Sequence, residues 1–212
     1  MAEERKRAGG RRGRATAAIA AIACALMLAP ANATAACGGV AQERPHKNVS
    51  AGRAPLAVGD SPMLLALDPL ADDGYRVNAR GCRQYPEGLA LLRDLRHRDK
   101  LPRLVVIALG SNGSVTKDNI HDALDIVGKK RMLGLVTPRE LGGGAGHDAA
   151  LVRAEAHKHE NRVELLDWVD YAAGHTAWFQ PDGLHLTFEG ADAMARLFDK
   201  ALKPLPPPHN AL

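Results

Sequence analysis

Residues 55–61 run Pro55-Leu56-Ala57-Val58-Gly59-Asp60-Ser61, an apolar stretch of strand length that stops at a turn of small and polar residues. Outward from it the same alternation repeats along the chain. Apolar runs of strand length follow at Tyr75 to Asn78, Arg103 to Leu109, Arg131 to Val136 and Val163 to Asp167. Between them lie stretches with helical spacing, at Gln84 to His97, Lys117 to Val127, Asp148 to His159 and Thr187 to Leu202. A parallel strand pair cannot be closed by a tight turn and needs a crossover, so this order predicts parallel strands joined by helices. The expected architecture is a three-layer α/β/α sandwich with a five-stranded parallel sheet, flavodoxin-like in kind. In such sheets functional residues collect at the carboxyl ends of the strands. Ser61 falls there after the first strand, and Asn112 after the third, within Gly110-Ser111-Asn112-Gly113.

Near the other end stands Asp182-Gly183-Leu184-His185. A serine hydroxyl is a weak nucleophile at neutral pH until an imidazole within hydrogen-bond reach takes its proton. The imidazole in turn needs a carboxylate on its other ring nitrogen to fix tautomer and orientation. Residues three apart share one face of a helical turn, so Asp182 and His185 can meet without help from the rest of the fold. Alone, Gly-Asp-Ser is an ordinary turn and Asp-Gly-x-His a helix start with Asp182 as its cap. Their occurrence at the two ends of one α/β pattern, with Asn112 after the central strand, makes Ser61, Asp182 and His185 a candidate triad.

The chain has 212 residues, 46% of them hydrophobic, enough for one buried core and too few for two typical enzyme domains. Arg5, Lys6, Arg7, Arg11, Arg12 and Arg14 precede an apolar run from Ala15 to Ala29 and small residues to Ala36. Basic, then apolar, then small is the order of a secretory signal peptide, so residues 1–36 are assigned to one. The apolar run is shorter than the roughly 20 residues a membrane-spanning helix needs, which favours cleavage over an anchor. Arg11-Arg12 also resembles a twin-arginine signal. Thr34-Ala35-Ala36-Cys37 is similar to a lipoprotein cleavage box, but Thr34 stands where such boxes carry leucine, which argues against a lipid on Cys37. Residues 37–53 show no period and are expected to be a linker or amino-terminal arm, 54–203 the folded domain, and 204–212 a proline-rich exposed tail. With Cys24 inside the signal, Cys37 and Cys82 remain, able to pair in an oxidising compartment but too few for a zinc cage. The first fourteen residues hold six basic and two acidic side chains and so account for the whole net charge of +4. The rest is formally neutral, and no nucleic-acid face is implied.

Other features carry less. His157 and His159 flank Lys158, a spacing that suits a strand-borne metal pair but not one helical face, so they are assigned to solvated surface, and no metal or cofactor is expected. Gly142-Gly143-Gly144-Ala145-Gly146 lacks the Lys-Ser or Lys-Thr of a phosphate-binding loop and is expected to overhang the site. Trp178 either walls an acyl or sugar pocket or packs in the core. Arg139, in Thr137-Pro138-Arg139, either meets substrate at the rim or pairs with a surface carboxylate.

These residues resemble the SGNH, or GDSL-like, hydrolases over roughly Ala54 to Leu202. The likeness rests on Val58-Gly59-Asp60-Ser61, Arg80-Gly81-Cys82-Arg83-Gln84, Gly110-Ser111-Asn112-Gly113 and Asp182-Gly183-Leu184-His185-Leu186-Thr187. More closely, the chain is similar to the SGNH domains attached to bacterial membrane acyltransferases that modify surface glycans. The resemblance implies Ser61 as nucleophile, His185 as base and Asp182 as its partner. It also implies an oxyanion hole made by the Ser61 backbone N–H, a backbone N–H from the second block and the Asn112 side-chain amide. In that second block the family glycine should directly precede Arg-Gln, where this chain has Cys82, with Gly81 one place earlier; either amide is a candidate. The expected activity is an exported serine esterase or acyl-transfer enzyme acting on O-acyl, chiefly O-acetyl, groups of cell-envelope glycans through an acyl-serine. Its expected partners are an acylated glycan or other small ester and a separate membrane acyltransferase, with no membrane span in the cleaved protein. The alternatives are a catalytically silent glycan-binding or scaffolding module of the same fold, and a peptidase using the same triad.

Overall fold

Side chains along a strand point alternately to its two faces, and here that alternation divides the core in two. In the computed structural model, which describes residues 37–47 and 54–203, six strands form one sheet. They are β1 (Ala41–Glu43), β2 (Leu56–Gly59), β3 (Arg76–Ala79), β4 (Leu104–Ala108), β5 (Met132–Val136) and β6 (Val163–Leu166), in the order β1-β3-β2-β4-β5-β6. All described residues fall within the unit Ala35–Leu212. The signal peptide expected over residues 1–36, part of the arm (48–53) and the tail at 204–212 lie outside the described residues.

The helices are α1 (Leu67–Asp72), α2 (Tyr85–His97), α3 (Lys117–Val127), α4 (His147–Lys158), α5 (Trp168–Tyr171) and α6 (Phe188–Phe198). Ala57, Val77, Val106 and Leu166 face one layer, where they pack with Leu70 of α1 and Met194 and Phe198 of α6. Leu56, Val58, Val105, Ile107 and Leu133 face the other, against Leu89 and Leu92 of α2, Ile120 and Leu124 of α3 and Val152 of α4. Helix starts are fixed locally. Thr116 Oγ1 accepts from Asn119 N at 3.2 Å while Asn119 Oδ1 accepts from Thr116 N at 3.1 Å, and Thr187 Oγ1 accepts from Gly190 N at 3.2 Å.

The five parallel strands β3-β2-β4-β5-β6 are the expected ones, in the flavodoxin-like order. The sheet is nevertheless six-stranded and mixed, not five-stranded and parallel. β1 adds antiparallel to β3, with Ala41 opposite Ala79 and Glu43 opposite Val77. Ala41-Gln42-Glu43 has no apolar run to betray a strand. What holds it is backbone pairing, together with a disulfide from Cys37 to Cys82 across 45 positions. Residues 61–72, unassigned in the sequence pattern, form a 3-10 turn (Ser61–Ala66) running into α1. The last expected helix ends at Phe198 and continues as a 3-10 turn, Asp199–Leu202.

Candidate active site

Ser61 is the first residue of the 3-10 turn that leaves the carboxyl end of β2. Its Oγ lies 3.0 Å from His185 Nε2, and His185 Nδ1 lies 2.6 Å from Asp182 Oδ2. Asp182 and His185 do not sit on a helix. They occupy a turn that Asp182 itself builds: Oδ1 accepts from the backbone N–H of Leu184 and of His185, both at 2.9 Å. Gln180 N donating to His185 O at 2.7 Å closes the segment. Burial alone would push the Asp182 carboxyl up, but the His185 ring and the two backbone donors outweigh it and hold the group below the usual carboxylate range. An ionised Asp182 makes Nδ1 the donating nitrogen, which leaves the Nε2 lone pair facing the Ser61 hydroxyl.

The turn is braced from outside by the loop after β5. Gly142 N donates to Asp182 O at 2.7 Å, and Arg139 Nε donates to Gly183 O at 2.7 Å. Gly183 has φ +69°, and a Cβ there would stand 2.8 Å from the Gly142 carbonyl carbon, so the position calls for glycine. The Arg139 guanidinium lies over the Phe179 ring, 4.0 Å from its centroid. Arg139 therefore positions the Asp182 turn while also lining the rim. The glycine-rich stretch does lie against the site, through Gly142.

Asp60, next to Ser61, is a neighbour that sequence reasoning passed over as part of a turn motif. It is only 2% exposed, and its Oδ2 accepts from Ser111 N at 3.0 Å. Burial raises it to about 6, with the amides of Ser111 and Gly110 and the nearby Asn112 side chain pulling the other way. Asn112 Nδ2 is itself buried and has no geometrically formed hydrogen bond. On the opposite side, Arg83 N donates to Arg80 O at 3.3 Å, closing a turn in which Cys82 has φ +56°. Cys82, where the family pattern has glycine, thus adopts the left-handed conformation that glycine favours. Its sulfur is bonded to Cys37, with Cα atoms 5.1 Å apart. Arg83, 4% exposed, ties this turn to the sheet by donating to Gly59 O at 3.0 Å, Asn78 O at 2.7 Å and Asn78 Oδ1 at 2.6 Å.

A cavity of about 20 Å³ flanks the serine, lined by Asp60, Met63, Ser111, Val136, Arg139 and Leu184 among others. A larger groove of about 130 Å³ runs between Gly110, Ser111 and the Pro138–Leu141 stretch. Trp178 is not in either lining. It packs in the core, stacked on Trp168 at 6.0 Å and on His175 at 3.9 Å between ring centroids. Trp168 lines the small cavity instead. His157 and His159 are separated by the turn of α4 and do not form a pair, but His159 meets His121 of α3 edge to face.

No family model matches the chain. YrhL of Bacillus subtilis, to which a peptidoglycan O-acetyltransferase activity is ascribed, is 32% identical over 152 residues, covering 70% of this chain and 23% of YrhL. The O-acetyltransferase OatA of Staphylococcus aureus is 30% identical over 155 residues, covering 70% of this chain and 25% of OatA. The matched segment thus spans about a quarter of each of these relatives. Among solved structures, the C-terminal catalytic domain of peptidoglycan O-acetyltransferase A from Streptococcus pneumoniae, carrying a methylsulfonyl adduct, superposes with a TM-score of 0.60 at 25% identity. That match covers 71% of this chain and 92% of the solved domain.

Proposed function

The chain belongs to the SGNH, or GDSL-like, hydrolase family, and from that premise we propose an exported serine esterase or acyl-transfer enzyme acting on O-acetyl groups of a cell-envelope glycan. The carrying observation is the relay of 3.0 Å and 2.6 Å that joins Ser61, His185 and Asp182 across 124 positions of sequence. Ser61 Oγ attacks the ester carbonyl while His185 Nε2 takes its proton, and Asp182 steadies the imidazolium through Nδ1–H. The tetrahedral oxyanion is received by the Ser61 backbone N–H, an amide of the Gly81–Cys82 turn and the Asn112 Nδ2. Such donors are worth about 10² to 10³ in rate each when fixed beforehand. Collapse breaks the bond to the leaving alcohol, which departs with the proton from His185, and the acyl group stays on Ser61. His185 then draws a proton from water, giving hydrolysis, or from a sugar hydroxyl, giving transfer.

The cavity beside the serine, lined by apolar side chains such as Met63, Val136 and Leu184, is the place for the acyl group. The larger groove lined by Arg139 and Leu141 is the place for the glycan. Peptidoglycan is the glycan in the names of the relatives, and we carry it to this chain as the proposed substrate. Residues 1–36 serve as the export signal in this reading, and 204–212 as a tail. The Cys37–Cys82 bond suits an oxidising compartment, and no described helix is long and apolar enough to cross a membrane. A membrane acyltransferase is the proposed partner that supplies or receives the acyl group.

The test is Ser61→Ala against a short-chain aryl ester, together with fluorophosphonate labelling and peptide mapping. Loss of the nucleophile is expected to cost on the order of 10⁶ in turnover, with the label on Ser61 in the parent. Equal turnover in the variant, or a label elsewhere, rejects the mechanism.

A further inference from the structure

On the outer face of the α2–α3–α4 layer, three side chains that the acyl chemistry does not use come together. His121 projects from α3, Glu155 from α4, and His159 caps the carboxyl end of α4. Their ligating atoms all lie within 4.8 Å of one another. We propose that His121, Glu155 and His159 form a divalent transition-metal site, best suited to Zn²⁺, that staples α3 to α4.

The donor set is the first argument. Two imidazole nitrogens and one carboxylate oxygen, with water in the fourth position, is a recurrent tetrahedral zinc set, and imidazole-rich sites discriminate against Mg²⁺ and Ca²⁺. Geometry is the second. Glu155 and His159 are four apart and share one face of α4, and His121 reaches the same point from the neighbouring helix. His121 Nε2 already stands 3.1 Å from Glu155 Oε2. Two ligands about 2.05 Å from a tetrahedral zinc are about 3.3 Å apart, so this pair needs almost no movement. The rings of His121 and His159 lie edge to face at 5.8 Å, and a rotation of His159 brings its nitrogen to the same centre.

The third argument is the carboxylate. The Glu155 side chain is 1% exposed, whereas its partners, Lys158 and His121, are 57% and 52% exposed. Lys158 and His121 already favour its ionised form, and that is the form that ligates a cation. Lys158 Nζ holds Oε1 at 2.7 Å, which orients the group so that Oε2 faces the histidines, as outer-sphere partners of metal ligands do. His121, half in solvent, leaves a path for the ion and for the water that completes its shell. None of the three residues lines the cavity beside Ser61, so the metal acts on the helical layer and not on the ester.

The experiment uses the full chain with its disulfide intact, stripped by chelator and titrated with ZnCl₂ by calorimetry and with CoCl₂ by visible absorption. The expected result is one equivalent bound, four-coordinate Co²⁺ bands, and a melting midpoint that rises with Zn²⁺. His121→Ala and His159→Ala each weaken binding by about tenfold or more, while His157→Ala and His46→Ala leave it unchanged, and turnover of an aryl ester by the parent is unaffected by chelator. His121 is exposed, so its variant tests the site without threatening the fold. Absence of saturable binding, or equal binding in the His121→Ala/His159→Ala double variant, overturns the proposal.

Discussion

Asp60→Asn separates the electrostatic cost of the site from its geometry. In the folded chain Asp60 is buried against the Ser111 amide, and burial raises it from 3.8 to about 6. Unfolded, it returns to its ordinary value. Between those two values the native state holds a proton that the unfolded state has released, so stability falls as pH rises through the interval. At about 1.4 kcal/mol per pH unit, a gap of about two units amounts to roughly 3 kcal/mol. The contribution is fully present below pH 3.8 and lost once pH passes 6. Asparagine presents the same acceptor oxygen to Ser111 N without a charge to desolvate. The variant is therefore expected to match the parent in acid and to exceed it by roughly 3 kcal/mol at pH 7 to 8. Urea unfolding at a series of pH values, extrapolated linearly to water, measures the difference. A difference that stays flat across the range, or that grows toward acid, refutes the assignment of Asp60 as a buried and strained carboxylate.

Asp182→Asn keeps an acceptor for the Leu184 and His185 amides but turns a donor toward His185 Nδ1, forcing the proton onto Nε2; turnover of an aryl ester should fall by about 10³ to 10⁴ with KM little changed, and a loss below tenfold contradicts the relay. Gly183→Ala places a Cβ 2.8 Å from the Gly142 backbone at φ +69°. The left-handed backbone costs about 1–2 kcal/mol, and parting the two loops should lower kcat by about 10², read by steady-state kinetics beside a melting curve. Replacing Cys37 and Cys82 by serine opens a cross-link spanning 45 positions; loop-closure entropy puts the loss near 4 kcal/mol, and an unchanged urea midpoint would contradict it.

The five parallel strands and the order of helices were legible because each rests on a local apolar pattern: Leu104 to Ala108, for example, is nearly continuous in Val, Ile and Leu because both faces of a central strand are covered. The Asp182–His185 pairing was legible for a related reason. Asp182, Gly183 and His185 form a turn whose own bonds lie within six residues, Gln180 to His185, so the pairing is written in one short motif, while its bracing by Gly142 and Arg139 is not. β1 was illegible because Ala41-Gln42-Glu43 gains its place from backbone pairing at an edge, which demands no side-chain type. His121, Glu155 and His159 were illegible together because their meeting depends on how α3 packs on α4. Trp178 stood between pocket and core in sequence, and the stack on Trp168 and His175 decides for the core.

The two sides of the proposed oxyanion hole differ in the same way. Asn112 lies four residues past the end of β4, and the carboxylate of Asp60, the residue before Ser61, anchors its loop at Ser111 N. The Gly81–Cys82 turn is assembled from distant pieces: Arg80 N on Gly59 O, the buried Arg83 fork on Gly59 and Asn78, and Cys37 from the far side of β1. A cysteine in a left-handed turn is a strained choice where glycine would be relaxed, and this cysteine is cross-linked to Cys37. Residues 37–47 are therefore tied to the Gly81–Cys82 turn through one covalent bond, and β1 extends the sheet that carries Ser61.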